Sequence, residues 1–169
     1  MDAPTEEVVL LASQALERRS AFKSLERTLL ITRTHIVVAP FDRAKLRHVH
    51  DERTAEAKAH GLNRFQQMWY AAQAPFALID SYPGMTIEAV LEEMPAARLL
   101  GYADIEEIDF LAGAVPAHSR RPSPGVPPHK LVLMMPNETI SLQVDGHTDP
   151  RELRRFLRDI AQGKISGIG

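Results

Sequence analysis

Cysteine is absent from this 169-residue chain. The absence excludes disulfide-stapled folds, zinc ribbons, iron–sulfur sites and thiol nucleophiles. Long apolar runs are missing too, since no segment approaches the ~20 apolar residues that span a bilayer. The chain begins with acidic residues, and its first apolar run, residues 8–12, is too short for a secretory signal. We therefore expect a cytoplasmic protein with a single domain, as the length suggests.

The chain also has no excess of one charge sign, because 20 Lys and Arg residues stand against 22 Asp and Glu residues. The resulting formal net charge of -2 argues against a uniformly basic nucleic-acid binder, so no nucleic-acid partner is predicted. The hydrophobic fraction of 44% and the charged fraction of 25% are typical of globular domains and exclude wholesale disorder.

Signatures of catalysis are missing as well. The sequence has neither a Gly-x-Ser-x-Gly motif nor a glycine-rich phosphate loop. The acidic cluster of Glu106, Glu107 and Asp109 has the residue types of acid–base catalysis, but on a strand it is more typical of a solvated edge. We therefore predict a protein that is not an enzyme and that uses no cofactor.

Histidines are spaced in a way that suggests a metal site at first sight. His48 and His50 precede Asp51, and His60 follows ten residues after His50. On the helix predicted for this segment, side chains two residues apart point about 200° away from each other and cannot bind one ion. The sequence therefore predicts solvated histidines and no metal.

Periodicity and capping predict four helical regions. Residues 5–18 have an acidic start, a basic end and helical apolar spacing, which predicts an N-terminal helix. Residues 43–75 are rich in alanine and charge and predict a helical insertion. Residues 86–94 predict a helix capped by Thr86. Residues 150–161 predict an amphipathic C-terminal helix whose apolar stripe consists of Leu153, Phe156, Leu157 and Ile160.

Alternating and β-branched runs predict about seven short strands. In chain order, they cover residues 19–24, 28–32, 35–41, 76–80, 102–111, 130–135 and 140–144. Five prolines between residues 116 and 128 exclude a central strand there and predict a loop.

This order of elements resembles the PH-like superfamily, in particular its GRAM-type and prokaryotic members. The resemblance is carried by the hairpin at 29–38, the strand at 101–108, the hairpin at 130–145 and the helix at 150–161. It implies an α+β fold: a bent antiparallel β-sandwich or partly open barrel of about seven strands, capped by the C-terminal amphipathic helix. The chain departs from the family in its N-terminal helix and in the insertion at 43–75.

The resemblance implies binding of phosphoinositides, other lipids, peptides or proteins, and it does not decide among them. Lys23 and Arg27 only partly match the basic pattern of phosphoinositide-binding members, because the basic-x-Arg pair is missing. A phosphoinositide ligand is therefore not predicted.

The two charge signs are separated along the chain. Residues 18–64 hold eleven bases and five acids, a balance of +6, whereas residues 80–109 hold eight acids and one base, a balance of -7. A molecule with a positive and a negative pole can associate with its own copies or bind an anionic surface through one pole.

Two functional hypotheses follow. The first is a non-enzymatic interaction module that binds a protein partner or its own copies. The alternative is binding to an anionic membrane or lipid headgroup, for which we predict Arg43, Lys45, Arg47, Arg53 and Trp69. Phe65 and Trp69 can equally pack the insertion onto the barrel.

The proline-rich loop carries a second candidate site. Arg120, Arg121 and Lys130 lie beside two serines and have the chemistry to hold a phosphate or a peptide. The plainer interpretation is a solvated surface loop.

Overall fold

A computed structural model describes residues 6–113, 126–161 and 165–166. The strands in this part of the chain are β1 (Leu11–Arg18), β2 (Ser24–Ile31), β3 (His35–Pro40), β4 (Arg98–Gly101), β5 (Glu107–Leu111), β6 (His129–Met135), β7 (Glu138–Val144) and β8 (Ile165–Ser166). The helices are α1 (Arg43–Ala59), α2 (Arg64–Ala71), α3 (Ala74–Asp80), α4 (Ile87–Glu93) and α5 (Pro150–Ala161), and a 3-10 turn covers Tyr102–Asp104.

The strands form a single curled sheet. Within the described residues, the order β4-β3-β2-β1-β7-β6-β5 is antiparallel throughout, and the two-residue β8 adds in parallel beside β5. Seven antiparallel strands curl into a half-barrel, and helix α5 follows the last of them in the chain. The predicted α+β fold class, with its partly open barrel and C-terminal helix, is confirmed.

The predicted N-terminal helix over residues 5–18 is wrong where the structure describes it, because Leu11–Arg18 is strand β1. This strand lies mid-sheet and pairs with β2 on one side and β7 on the other. Its backbone N–H and C=O groups therefore form hydrogen bonds with two neighbouring strands. This pairing outweighs the charges at the ends of the segment, which favour a helix. The sequence signal was an alternation of period two, in which the buried residues are Leu11, Ser13, Ala15 and Glu17.

Three predicted strands also differ from the structure. The predicted strand 102–111 is shorter, because Tyr102–Asp104 is a 3-10 turn and only Glu107–Leu111 is a strand. Residues 76–80 belong to helix α3, in which Pro75 stands in the first turn, where no backbone donor is needed. Residues 19–23 form the turn between β1 and β2, and the Lys23 carbonyl accepts hydrogen bonds from the backbone N–H groups of Arg19 and Ser20.

The helical insertion lies between β3 and β4 and is longer than the predicted residues 43–75, because α3 and α4 extend it to Glu93. Helices α1, α3 and α4 lie against the outer face of β2 and β3 and form a second core there. The buried residues of this outer core are Val9, Leu30, Val37, Ala39, Leu78, Tyr82, Ile87, Val90 and Met94.

The inner face of the half-barrel carries the main core. Helix α5 buries Leu153 and Leu157 against it, as the predicted apolar stripe requires. In β2, Leu29 and Ile31 belong to the inner core and Leu30 belongs to the outer core. Strands β2 and β3 are thus buried on both faces, which explains their nearly continuous apolar runs.

Residues 7–10 connect the helical insertion to the sheet. The Val9 N–H donates to the Met85 carbonyl at 2.9 Å, and the Val9 carbonyl accepts from the Gly84 N–H at 2.8 Å. One residue further, the Leu10 N–H donates to the Ile31 carbonyl of β2 at 2.7 Å. This N-terminal segment therefore holds the turn before α4 and the central strands together.

The Glu7 carboxylate fixes the same segment to the β2–β3 turn. It accepts hydrogen bonds from the hydroxyls of Thr32 and Thr34 and from the Thr34 N–H at 3.0 Å, and the His35 Nδ1 lies 3.1 Å away. Burial raises the pKa of this carboxyl, but the hydrogen bonds from the turn outweigh burial and lower the pKa from 4.5 to about 2. The interaction therefore stabilises the fold above a pH of about 4.5 and is lost as the pH falls toward 2.

We predict that Glu7→Gln lowers the free energy of unfolding at neutral pH by about 1.5–3 kcal/mol, because charge-assisted hydrogen bonds are lost while the side-chain shape is kept. The difference from the unmodified protein should shrink as the pH falls from about 4.5 to about 2. Urea denaturation followed by circular dichroism at several pH values measures it. The exposed neighbour Glu6, changed to Gln, is the control, and a loss for Glu7→Gln that is independent of pH would contradict the prediction.

Candidate interaction surface

Helix α2 presents large apolar side chains to solvent. Phe65, Met68 and Trp69 are 69%, 62% and 63% exposed, at the i, i+3 and i+4 spacing of one helix face. We call these three residues the α2 ridge. Of the two alternatives left open by the sequence, packing of Phe65 and Trp69 onto the barrel is therefore wrong, because this face of α2 points away from the sheet.

The opposite side of α2 explains why the ridge faces outward. Ala71 is buried, as is Ala57 of α1, and the Tyr70 ring lies against Arg53 of α1. A capping box between Asn63 and Gln66 starts the helix, and each of these side chains accepts from the other residue's backbone N–H at 3.0 Å. The Tyr70 side chain thus faces α1, whereas Phe65, Met68 and Trp69 are left exposed.

Arg53 of α1 holds α2 in place. Its guanidinium lies 4.1 Å from the centre of the Tyr70 ring, and its Nε donates to the Tyr70 carbonyl at 3.0 Å. The Tyr70 hydroxyl donates in turn to Glu56 at 3.2 Å. Arg53, predicted to bind lipid, is therefore engaged within the insertion and positions the ridge.

Lys45, another predicted lipid contact, is also engaged internally. Its Nζ pairs with Glu93 of α4 at 2.5 Å and lies 4.9 Å from the centre of the Tyr82 ring. Burial raises the pKa of Tyr82 to about 12, and the charges of Glu93 and Asp42 act in the same direction. Lys45 therefore links α1 to α4 over a buried aromatic ring.

Arg43 and Arg47 line a groove of about 500 Å³ between α1, the start of α3 and the outer face of the sheet. Its walls are mostly apolar, and its polar lining includes Gln14, Glu26 and His50. We call it the α1 groove; its apolar lining consists of Phe41, Leu46, Ala71, Ala72, Ala74 and Pro75. Arg43 and Arg47 lie one helical turn apart and so present two cations to the same space.

The five predicted lipid contacts are therefore divided among three environments. Arg43 and Arg47 share the α1 groove, Trp69 belongs to the α2 ridge, and Lys45 and Arg53 hold the helices together. Sequence reasoning missed Met68, although its i+3 spacing from Phe65 was visible.

Two exposed bases stand close to the ridge in the chain. Lys58 lies in the last turn of α1, and Arg64 is the first residue of α2, four residues before Met68. Between Lys58 and Gln73 there is no acidic residue. The corner between the two helices is therefore cationic.

Two histidines of α1 each lie beside an acidic side chain. His48 lies 3.1 Å from Glu52, and His50 lies 3.6 Å from Asp51, all on exposed positions of α1. Among the residues that the structure describes, no group of three or more His, Asp or Glu side chains has the geometry to hold a metal ion.

The second predicted site is only partly covered. Arg120 and Arg121 lie outside the described residues. Lys130 is exposed in β6, opposite Leu111 of β5. The phosphate or peptide site at this loop stays a prediction.

Comparison with known proteins finds similarity to solved structures but not to family models or curated sequences. No protein-family model matches the chain, and no curated protein matches it by sequence. Among solved structures, the chain is similar to "The hSac2 domain from human phosphoinositide phosphatase Sac2", with 11% identity over 98% of this chain and 76% of that one, and a TM-score of 0.42. The curled sheet is compatible with a PH-like fold, but this similarity is too low to assign a family or an activity.

No helix in residues 6–113, 126–161 and 165–166 is both long and apolar enough to cross a membrane.

We predict that Arg53→Ala loosens α2, because it removes both the stacking on Tyr70 and the hydrogen bond to the Tyr70 carbonyl. The free energy of unfolding should fall by about 1–2 kcal/mol, and backbone amides of α2 should exchange faster with solvent. Hydrogen exchange and urea denaturation measure the two effects. Arg47→Ala is the matched control on the same helix and should leave both unchanged; faster exchange in that variant too would contradict a specific role for Arg53.

Proposed function

We propose that the protein is a non-enzymatic interaction module that docks onto an anionic membrane surface through the α2 ridge. The observation that carries this proposal is the exposure of Phe65, Met68 and Trp69 side by side on one helix face. A contiguous apolar patch of this kind on a soluble domain marks an interaction site, whereas scattered single residues do not.

The chemistry of the ridge suits a lipid interface. Tryptophan is enriched at headgroup depth, because its ring is apolar while its N–H bonds to water or phosphate. Phe65 and Met68 supply side chains that insert at the boundary of the acyl chains. Lys58 and Arg64 add attraction to anionic headgroups, worth about 1 kcal/mol for each base near the surface.

The size of the patch favours a membrane over a protein partner or a second copy, which the sequence alone put first. The ridge exposes roughly 400 Å², taking ordinary side-chain areas. A stable protein interface usually buries about 800 Å² on each partner. A bilayer needs no complementary shape, so a few inserted side chains and neighbouring bases suffice.

We expect binding to vesicles that contain phosphatidylserine and little binding to phosphatidylcholine alone, with a loss at high salt. The chain has a single tryptophan, so its fluorescence reports on the ridge without labelling. Insertion should shift the Trp69 emission to shorter wavelength, because the ring leaves water. Unchanged emission together with no co-sedimentation would overturn the proposal.

Variants of the ridge provide the second test. Phe65→Ser with Met68→Ser keeps the Trp69 reporter and should weaken vesicle binding about tenfold or more. Phe22→Ser is the matched control, because Phe22 is a fully exposed aromatic residue in the β1–β2 turn. Equal effects of the ridge and control variants would contradict docking through α2.

The charge contribution is tested separately. Lys58→Glu with Arg64→Glu should reduce binding to anionic vesicles, and Arg151→Glu with Arg158→Glu makes the same charge change on exposed positions of α5. Light scattering over a range of concentrations tests whether a second copy of the chain binds to the ridge instead. A dimer that is lost in Phe65→Ser with Met68→Ser would assign the ridge to a second copy and overturn the membrane proposal.

A further inference from the structure

The α1 groove is a second concave surface of the insertion, distinct from the α2 ridge. Its volume of about 500 Å³ falls within the range of small-molecule sites, and its walls are mainly apolar with a few polar groups at one side. None of the three ridge side chains contributes to its lining. We therefore treat the groove as a separate candidate binding site.

The charged side chains of the groove determine the sign of the charge that its ligand must carry. The Arg47 side chain is exposed and forms no hydrogen bond or ion pair with any other residue in the part of the chain that the structure describes. Arg43 donates through its Nε to Glu26 at 2.9 Å, and a guanidinium has four further N–H donors. Glu26 is the acidic residue in the groove lining, so the two arginines leave a net positive charge.

The apolar side chains of the groove indicate that the ligand also has an apolar part. Phe41, Leu46 and Pro75 line the groove beside the two arginines, and Ala72 contributes only a methyl group. Small side chains there leave room that an apolar body can fill. An inorganic anion could pair with the arginines but would leave the apolar lining exposed to water. A neutral alcohol could cover the apolar lining but would leave the arginines without a counter-charge.

We infer that the α1 groove binds an amphipathic anion, a carboxylate or phosphate monoester with an apolar tail, whose head contacts Arg47 and Arg43. Arg47 carries the recognition, because Arg43 is already tethered to Glu26. The tail lies along Leu46, Ala72 and Pro75. The same chemistry is offered by a free fatty acid or alkyl phosphate and by the phosphate of a lipid headgroup.

The test is calorimetric titration of the full chain with octyl phosphate and with octanoate, both kept below micelle formation. Octanol and inorganic phosphate are the matched probes that lack the charge or the tail. We expect both amphipathic anions to bind at least about tenfold more tightly than octanol and than inorganic phosphate. Equal binding of octanol, or no binding of either anion, would overturn the inference.

Variants locate the site. Arg47→Glu should weaken both anions about tenfold or more, and Ala72→Phe should block the tail, since Ala72 is exposed in the groove lining with ordinary helical backbone angles. Arg64→Glu makes the same charge change outside the groove and should have little effect. Circular dichroism melting curves verify that each variant folds, and unchanged anion binding in a folded Arg47→Glu variant would overturn the inference.

The result is independent of the membrane proposal. Phe65→Ser with Met68→Ser alters only the ridge and should leave octyl phosphate binding unchanged, so failure of one proposal does not entail failure of the other. Vesicles containing phosphatidic acid identify the source of the ligand. Weaker vesicle binding of both Arg47→Glu and Ala72→Phe supports a lipid headgroup, whereas effects confined to the free anions support a soluble ligand.

Discussion

The β2–β3 hairpin is apolar on both faces, and the rest of the structure depends on covering both. Leu29 and Ile31 face the inside of the half-barrel, while Leu30 and Val37 face outward. Leaving either face in water would forgo the burial that stabilises a domain of this size. Helix α5 covers the inner face through Leu153 and Leu157, and the helical insertion between β3 and β4 covers the outer one.

This arrangement explains why the candidate surfaces lie where they do. The buried residues of the outer core come from the N-terminal segment, the central strands and residues 78–94, and none of them belongs to α2. Helix α2 instead packs on α1, where Arg53 contacts the ring and the carbonyl of Tyr70. It therefore forms a second layer, in which Phe65, Met68 and Trp69 stay exposed to solvent. The α1 groove arises beside it, where α1 and the start of α3 meet the sheet.

Much of the fold was predictable because local patterns and tertiary contacts agree. The hairpin of β2 and β3, the hairpin of β6 and β7 and helix α5 follow from alternation and capping. Strand β1 was not predictable in this way, because the charges at both ends of the segment favour a helix. Its pairing partners, β2 and β7, also lie far apart in the sequence. Residues 76–80 read as a strand because short apolar runs have no decisive period.

The sequence by itself determined the α+β class, the basic insertion and the residue types available for binding. Only the tertiary structure determined which of those residues are engaged in internal contacts and which are exposed for binding. Lys45 and Arg53 are engaged because Glu93 and Tyr70, remote in the chain, come within reach when the helices pack. Trp69 stays in solvent because α2 contacts α1 through Tyr70, on another side of the helix. Helical spacing identifies an apolar face, but only the packing of neighbouring elements determines whether that face is buried or exposed.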